Sequence, residues 1–189
     1  MQPFSTVDLV AFAWFLAAWI GYGLVVEKSR WGASSLSSAM NQHRAAWMSA
    51  MIGRDNRIVD TSIMASLQQG TAVFASTSLL ALGGSLALMR ASDEVLDIVR
   101  ALPVLVPVSR AAWELKVFGL AVIFVYAFFK FAWAYRLFNY AAILMGAVPP
   151  RADDPAAPLA AERAAAMQTA GAAHFNRGLR EFFFALAYL

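Results

Sequence analysis

Apolar positions run through this chain in long blocks rather than in short alternations. Residues 7–26 hold one charge, Asp8, at their start; residues 61–89 hold none; residues 117–150 hold only Lys130 and Arg136. A helix rising 1.5 Å per residue needs about 20 such residues to cross a hydrocarbon core of about 30 Å. The pattern therefore predicts transmembrane helices at about 7–26, 61–89 and 115–136, the third running on past the membrane surface over 135–146. A fourth apolar run starts near Gly178 and reaches only Leu189, about ten residues short of a crossing. The span 178–189 is read as incomplete, and the natural chain is expected to continue beyond it. The first block has no basic stretch ahead of it and is too long for a cleavable signal peptide.

The segments between the blocks are patterned too. Leu36, Met40, His43, Trp47 and Ala50 or Met51 recur every three or four residues, the stripe of an amphipathic connecting helix. Asp55, Asn56 and Arg57 read as a turn, and Asp60 is placed to cap the second span. Val95, Leu96, Ile98, Val99 and Leu102 predict a short amphipathic helix closed by Pro103 and Pro107. Residues 148–158 are Pro-rich and read as an extended linker, and the Ala-rich run 159–173 returns to helix. No internal repeat is visible. The whole, 1–189, reads as one domain of all-α class, a polytopic helical membrane protein. Its expected form is a four-helix transmembrane bundle with an amphipathic cytoplasmic connecting helix.

Composition agrees with this and narrows the chemistry. Of the 189 residues, 60% are hydrophobic and 14% charged, and the mean hydropathy is +0.58. One soluble core of this size cannot hide that much apolar surface, and disorder needs the opposite balance. The absence of cysteine removes disulfides, thiolate metal sites and cysteine nucleophiles. Lys28, Arg30, Arg44, Arg54 and Arg57 follow the first block, and Arg136, Arg151, Arg163, Arg177 and Arg180 follow the third. Arg90, Arg100 and Arg110 between the second and third are offset by Asp93, Glu94 and Asp97. The positive-inside rule then puts the first and third connections in the cytoplasm and the N-terminus outside. The net charge of +3 is this topology signal, so no nucleic-acid partner is expected.

Few residues suggest chemistry. Lys130 lies inside a span, where a charge is costly and hence a functional suspect. With Glu114 and Lys116 it draws a charged track along the third helix. It also lies close enough to the interface to snorkel, with Tyr126 and Trp133 placed to hold its ammonium. Gln68, Gln69, Ser76 and Thr77 are candidates for a polar path, or serve with Ser78 as interhelical hydrogen-bond glue. Small residues at i, i+4 spacing (Ala72/Ser76, Ala81/Ser85 and Gly83/Ala87, and Ala13/Ala17/Gly21 in the first span) point to close helix packing. Arg54, Arg57, Arg136, Arg177 and Arg180 are candidates for an anionic lipid headgroup, or serve only as the topology signal. His43 and His174 lack metal-ligand spacing, so no metal and no cofactor are expected, and no catalytic motif is present.

Three stretches, IVDTSIMASLQQGTAVFASTSLL at 58–80, FKFAWAYRLFNY at 129–140 and HFNRGLREFFFALA at 174–187, resemble the bacterial membrane proteins grouped as domain-of-unknown-function family 599. The resemblance covers nearly the whole chain and implies a helical inner-membrane protein whose last motif runs on into a full apolar helix. It supplies no catalytic or binding residue. The leading functional expectation is a non-catalytic membrane subunit or scaffold acting through helix packing, with itself or with other membrane proteins, among membrane lipid. The alternative is a homo-oligomeric channel or transporter for a small solute, with anions favoured by Lys130 and the arginines.

Overall fold

The computed structural model describes residues 6–28, 35–101, 109–151 and 153–188. Arg30, Leu102, Pro103, Pro107 and Leu189 lie outside them, as do the side chains of Lys28, Val99 and Arg100. The described residues form six helices: α1 (Thr6–Lys28), α2 (Leu36–Ile52), α3 (Ile58–Arg90), α4 (Ser92–Arg100), α5 (Arg110–Gly146) and α6 (Ala157–Tyr188). Three of them, α1, α3 and α5, are long and apolar enough to cross a membrane. At 37 residues α5 is about 55 Å long, well beyond a hydrocarbon core.

Local chemistry sets several helix starts. Ser109 Oγ accepts from the Ala112 amide at 3.2 Å and caps α5, Ser35 Oγ accepts from Ser38 and caps α2, and Asn56 Oδ1 accepts from the Ile58 amide at 2.9 Å. Asp60 is therefore not the cap of α3. It sits inside the first turn, fully buried, and accepts from the Trp47 indole at 2.6 Å and from Arg54.

The core is a seam of heptads. On α5 the buried positions are Val117, Phe124, Phe131, Phe138 and Met145, with Leu120, Ala127, Ala134 and Ala141 between them. On α6 the same period gives Ala157, Ala164, Gly171, Gly178 and Ala185, and on α3 it gives Met64, Thr71, Ser78 and Ser85. A repeat of seven keeps one face turned toward a partner by left-handed supercoiling. Large rings on α5 thus meet minimal side chains on α6. A Cβ added at Gly178 would lie 2.7 Å from the ring of the fully buried Phe131, and one at Gly171 would lie 3.0 Å from Phe138. These pairs, and Gly119 under the Tyr188 hydroxyl, run α6 antiparallel to α5. Gln68 donating to Asn139 at 2.8 Å and Phe74 on Phe131 at 5.5 Å place α3 antiparallel to α5 as well.

Several packing expectations change. Of the small faces in the sequence reading, Ala81/Ser85 lies against the core, whereas a Cβ at Gly21 or Gly83 would find nothing within 4 Å. The buried hydroxyls of Thr71, Ser78 and Ser85 bond back to carbonyls four residues earlier, at 2.7 to 2.9 Å, so they pack as small groups rather than bond between helices. On α2, Leu36 and Met40 are exposed, while Met48 and Met51 are buried and Asn176 on α6 donates to Ser37 at 3.0 Å. Within 148–158, Val148 and Ala157 are buried, and Arg57 donates to the carbonyls of Val148 and Pro149 at 2.8 and 2.9 Å. That stretch is pinned to the start of α3, and Pro158 already lies in the first turn of α6.

Replacing Gly178 by Ala should overpack the seam at a cost of about 1–3 kcal/mol, because Phe131 has no room to retreat. Thermal unfolding in detergent should show a lowered midpoint for Gly178→Ala, partly restored by adding Phe131→Leu. Gly83→Ala should not be lowered, since Ala is the better helix former and meets nothing. Equal losses at Gly178 and Gly83 would contradict the seam.

Candidate functional site: a lateral cleft between α1, α5 and α6

The heptad seam leaves no place in the core for α1. None of its span residues is buried, and it meets the bundle only at isolated points. One edge carries them. Phe15, Trp19 and Tyr22, spaced four and three, face α6: Phe15 packs on Tyr188 at 5.0 Å and Phe184 at 6.0 Å, and Tyr22 on Phe184 at 5.9 Å. At the far end Asp8 pairs with Lys116 of α5 at 3.3 Å, which makes α1 parallel to α5. The expected packing face Ala13/Ala17/Gly21 is not the one used, because rings rather than close backbones make the attachment.

Between these contacts the helices stand apart and leave a cleft of about 560 Å³. Leu16, Ile20 and Leu24 form one wall and Val122, Ile123 and Tyr126 the other, with Arg177, Arg180 and Glu181 of α6 at its base. Glu181 is 3% exposed, and its two oxygens are both engaged: Trp19 Nε1 donates to Oε2, and Arg180 Nε donates to Oε1 at 3.2 Å. The Arg180 guanidinium lies beside Gly23, its Cζ 3.7 Å from where a Cβ would stand. Lys130 Nζ lies 4.8 Å from the ring centroid of Tyr126, which belongs to the same wall. The lining thus combines apolar walls with two guanidinium groups and one carboxylate.

Residues 10–189 match the family described as "Protein of unknown function, DUF599". The chain belongs to that family. No curated protein and no solved structure matches the chain.

In this DUF599 protein the sequence-derived candidates separate. Arg177 and Arg180 come together in the cleft, but the other three arginines hold the fold: Arg54 on Asp60, Arg57 on the carbonyls of Val148 and Pro149, and Arg136 between the rings of Trp133 and Tyr140 at 5.4 and 5.3 Å. Gln68 is taken by Asn139, whereas Gln69, Ser76 and Thr77 are exposed on α3. Lys130 keeps its expected partner Tyr126, while Trp133 instead stacks near Arg136 and His174. The charged track along α5 resolves into local pairs, Glu114 with Arg110 at 2.7 Å and Lys116 with Asp8. His43 is exposed on α2, and His174 is half-buried on α6.

Glu181 and Trp19 were missed by the sequence reading. The available signal was an acid at the head of an apolar run, just after two arginines, which the cost of burying charge marks as partnered. Replacing Glu181 by Ala should leave the indole N–H without its acceptor and take one carboxylate from Arg180, at a cost on the order of 3 kcal/mol. Glu181→Gln keeps an oxygen for Trp19 and should lose less. Detergent unfolding curves check this, and a Glu181→Ala protein as stable as the unchanged one would contradict it.

Proposed function

We propose that this chain is a non-catalytic, multi-pass protein of the bacterial inner membrane whose lateral cleft accepts an amphiphile from the surrounding bilayer. The observation that carries the reading is the cleft itself. Its walls are apolar, its charges among the described residues cluster at one level on α6, and α1, which closes one side, is held by ring contacts, the Trp19–Glu181 hydrogen bond and the Asp8–Lys116 ion pair. A ligand entering sideways from lipid meets such a surface, and a water-soluble solute does not. The basic end of the bundle, with Arg54, Arg57, Arg136, Arg151 and Arg163, is cytoplasmic in this reading and the N-terminus lies outside. The last turns of α6, level with the spans of α5, act as the start of a fourth membrane helix. The rigid α3–α5–α6 core is then a scaffold on which α1 moves as the adjustable wall.

One observation favours self-assembly as a second reading. Ser62, Gln69, Ser76 and Gly83 recur every seven residues along the exposed side of α3, opposite its buried seam. Small and polar residues in that register suit helix–helix contact between copies. A path for a solute through Gln69, Ser76 and Thr77 would then form only between protomers, with Gln68 and Lys130 outside it.

Native mass spectrometry after gentle extraction tests the first reading. One amphiphile-sized adduct per protomer is expected. Val122→Trp, which fills the cleft from an exposed wall position, should remove it, and Leu80→Trp on the exposed side of α3 should not. A protein that carries no adduct, or a Val122→Trp protein that retains it in full, would contradict the proposal.

A further inference from the structure

A second cavity, of about 260 Å³, lies between the start of α3 and the end of α5 and shares no residue with the lateral cleft. The pairing of the two helices sets its level. Gln68 on Asn139 marks its near end, and Arg57 on the carbonyls of Val148 and Pro149 its far end, all of them past Arg136. The cavity therefore lies beyond the apolar span of α5, on the basic side that the reading above assigns to the cytoplasm. Small residues do opposite work at the two ends of α5. In the seam, glycines of α6 admit the rings of Phe131 and Phe138; here Ala142 and Gly146, one turn apart, leave space between the helices, and a Cβ at Gly146 would meet nothing within 4 Å. Met64 and Met145, both buried, complete the apolar lining, and thioethers on flexible stems adapt to an irregular guest.

Arg57 is the one charged residue among those that line this cavity. A guanidinium has five N–H donors, and each terminal nitrogen of Arg57 gives one to a neutral carbonyl. Those two bonds hold the group in place without neutralising it. The nearby carboxylate of Asp60 is taken by Arg54 and the Trp47 indole. At about 30 Å³ for each water-sized group, the space holds about nine of them, too few for the chain of a membrane fatty acid. We infer that this cavity binds a compact organic carboxylate from the cytoplasm. Its carboxylate pairs with the remaining N–H groups of Arg57, whose planar fork matches two oxygens, and its aromatic or branched body lies on Met64, Ala142 and Met145. An inorganic anion would gain nothing from that apolar lining.

The test uses the full chain in lipid nanodiscs, with 4-fluorobenzoate as the probe and 4-fluorobenzamide as its neutral counterpart. Fluorine NMR line broadening, measured against empty nanodiscs, gives the affinity for each. The acid should bind about tenfold more tightly than the amide. Arg57→Gln should weaken the acid about tenfold and leave the amide unchanged, while Arg57→Lys, which keeps the charge, should lose less. Gly146→Leu fills the cavity from a position where a Cβ meets nothing, so it should keep the unfolding midpoint and abolish binding of both probes. Val122→Trp, which fills the lateral cleft, should change neither affinity, so the two sites stand or fall separately. No binding of the acid beyond that of empty nanodiscs, equal affinity for the amide, or full binding by Gly146→Leu would each overturn the inference. Loss of the probe on Val122→Trp would move it to the lateral cleft and overturn the inference as well.

Discussion

The rest of the structure depends on the close approach of α5 and α6, with Phe131 and Phe138 seated over Gly178 and Gly171. In a membrane the hydrophobic effect gives helices no reason to leave lipid for one another, so contact area and shape must do it. Rings against glycines supply both. The approach fixes the register, and the register places the arginines and Glu181 of α6 level with the apolar span of α5. Because α5 spends its buried face on α3 and α6, α1 has only the flank of the bundle to rest on. A weakly attached outer helix beside a charged turn is what makes a cleft that opens sideways.

The polar groups divide between fastening and function on the same physical ground. Buried Asp60 takes donors from α2 and from the turn before α3, and Arg57 ties the α5–α6 connection to that corner. Each contact satisfies a group that would be costly if orphaned, and each joins segments distant in the sequence. These residues are structural because their partners are backbone or opposite charge within the fold. Arg177 and Arg180 line a space bounded by apolar side chains, Arg180 with its Nε on Glu181.

Much of the architecture was legible in the sequence. The three long apolar blocks became α1, α3 and α5, and the continuation of the third block past a membrane's thickness became the end of α5. The family resemblance rested on stretches that include Gln68 on Asn139, Phe131 under Gly178 and Arg180 with Glu181. What was illegible was pairing. Small residues occur on several helix faces, and only the partner decides which face is used: Gly178 meets a ring and Gly83 meets nothing. Five arginines looked alike as a cationic set, yet Arg57 reached carbonyls of the loop after α5, far away in the sequence, and Arg136 settled on Trp133 and Tyr140 of its own helix. Glu181 was not singled out, because its partner, Trp19, lies at the other end of the chain.

The most direct measurement is site-specific photo-cross-linking in native membranes, from a photoreactive residue at Ile20 inside the cleft and from another at Leu86 on the exposed side of α3. Mass spectrometry of the adducts gives the lipid composition seen by each. The account predicts one class of amphiphile strongly enriched at Ile20 over its share of the membrane, and bulk composition at Leu86. Bulk composition at both positions would contradict it.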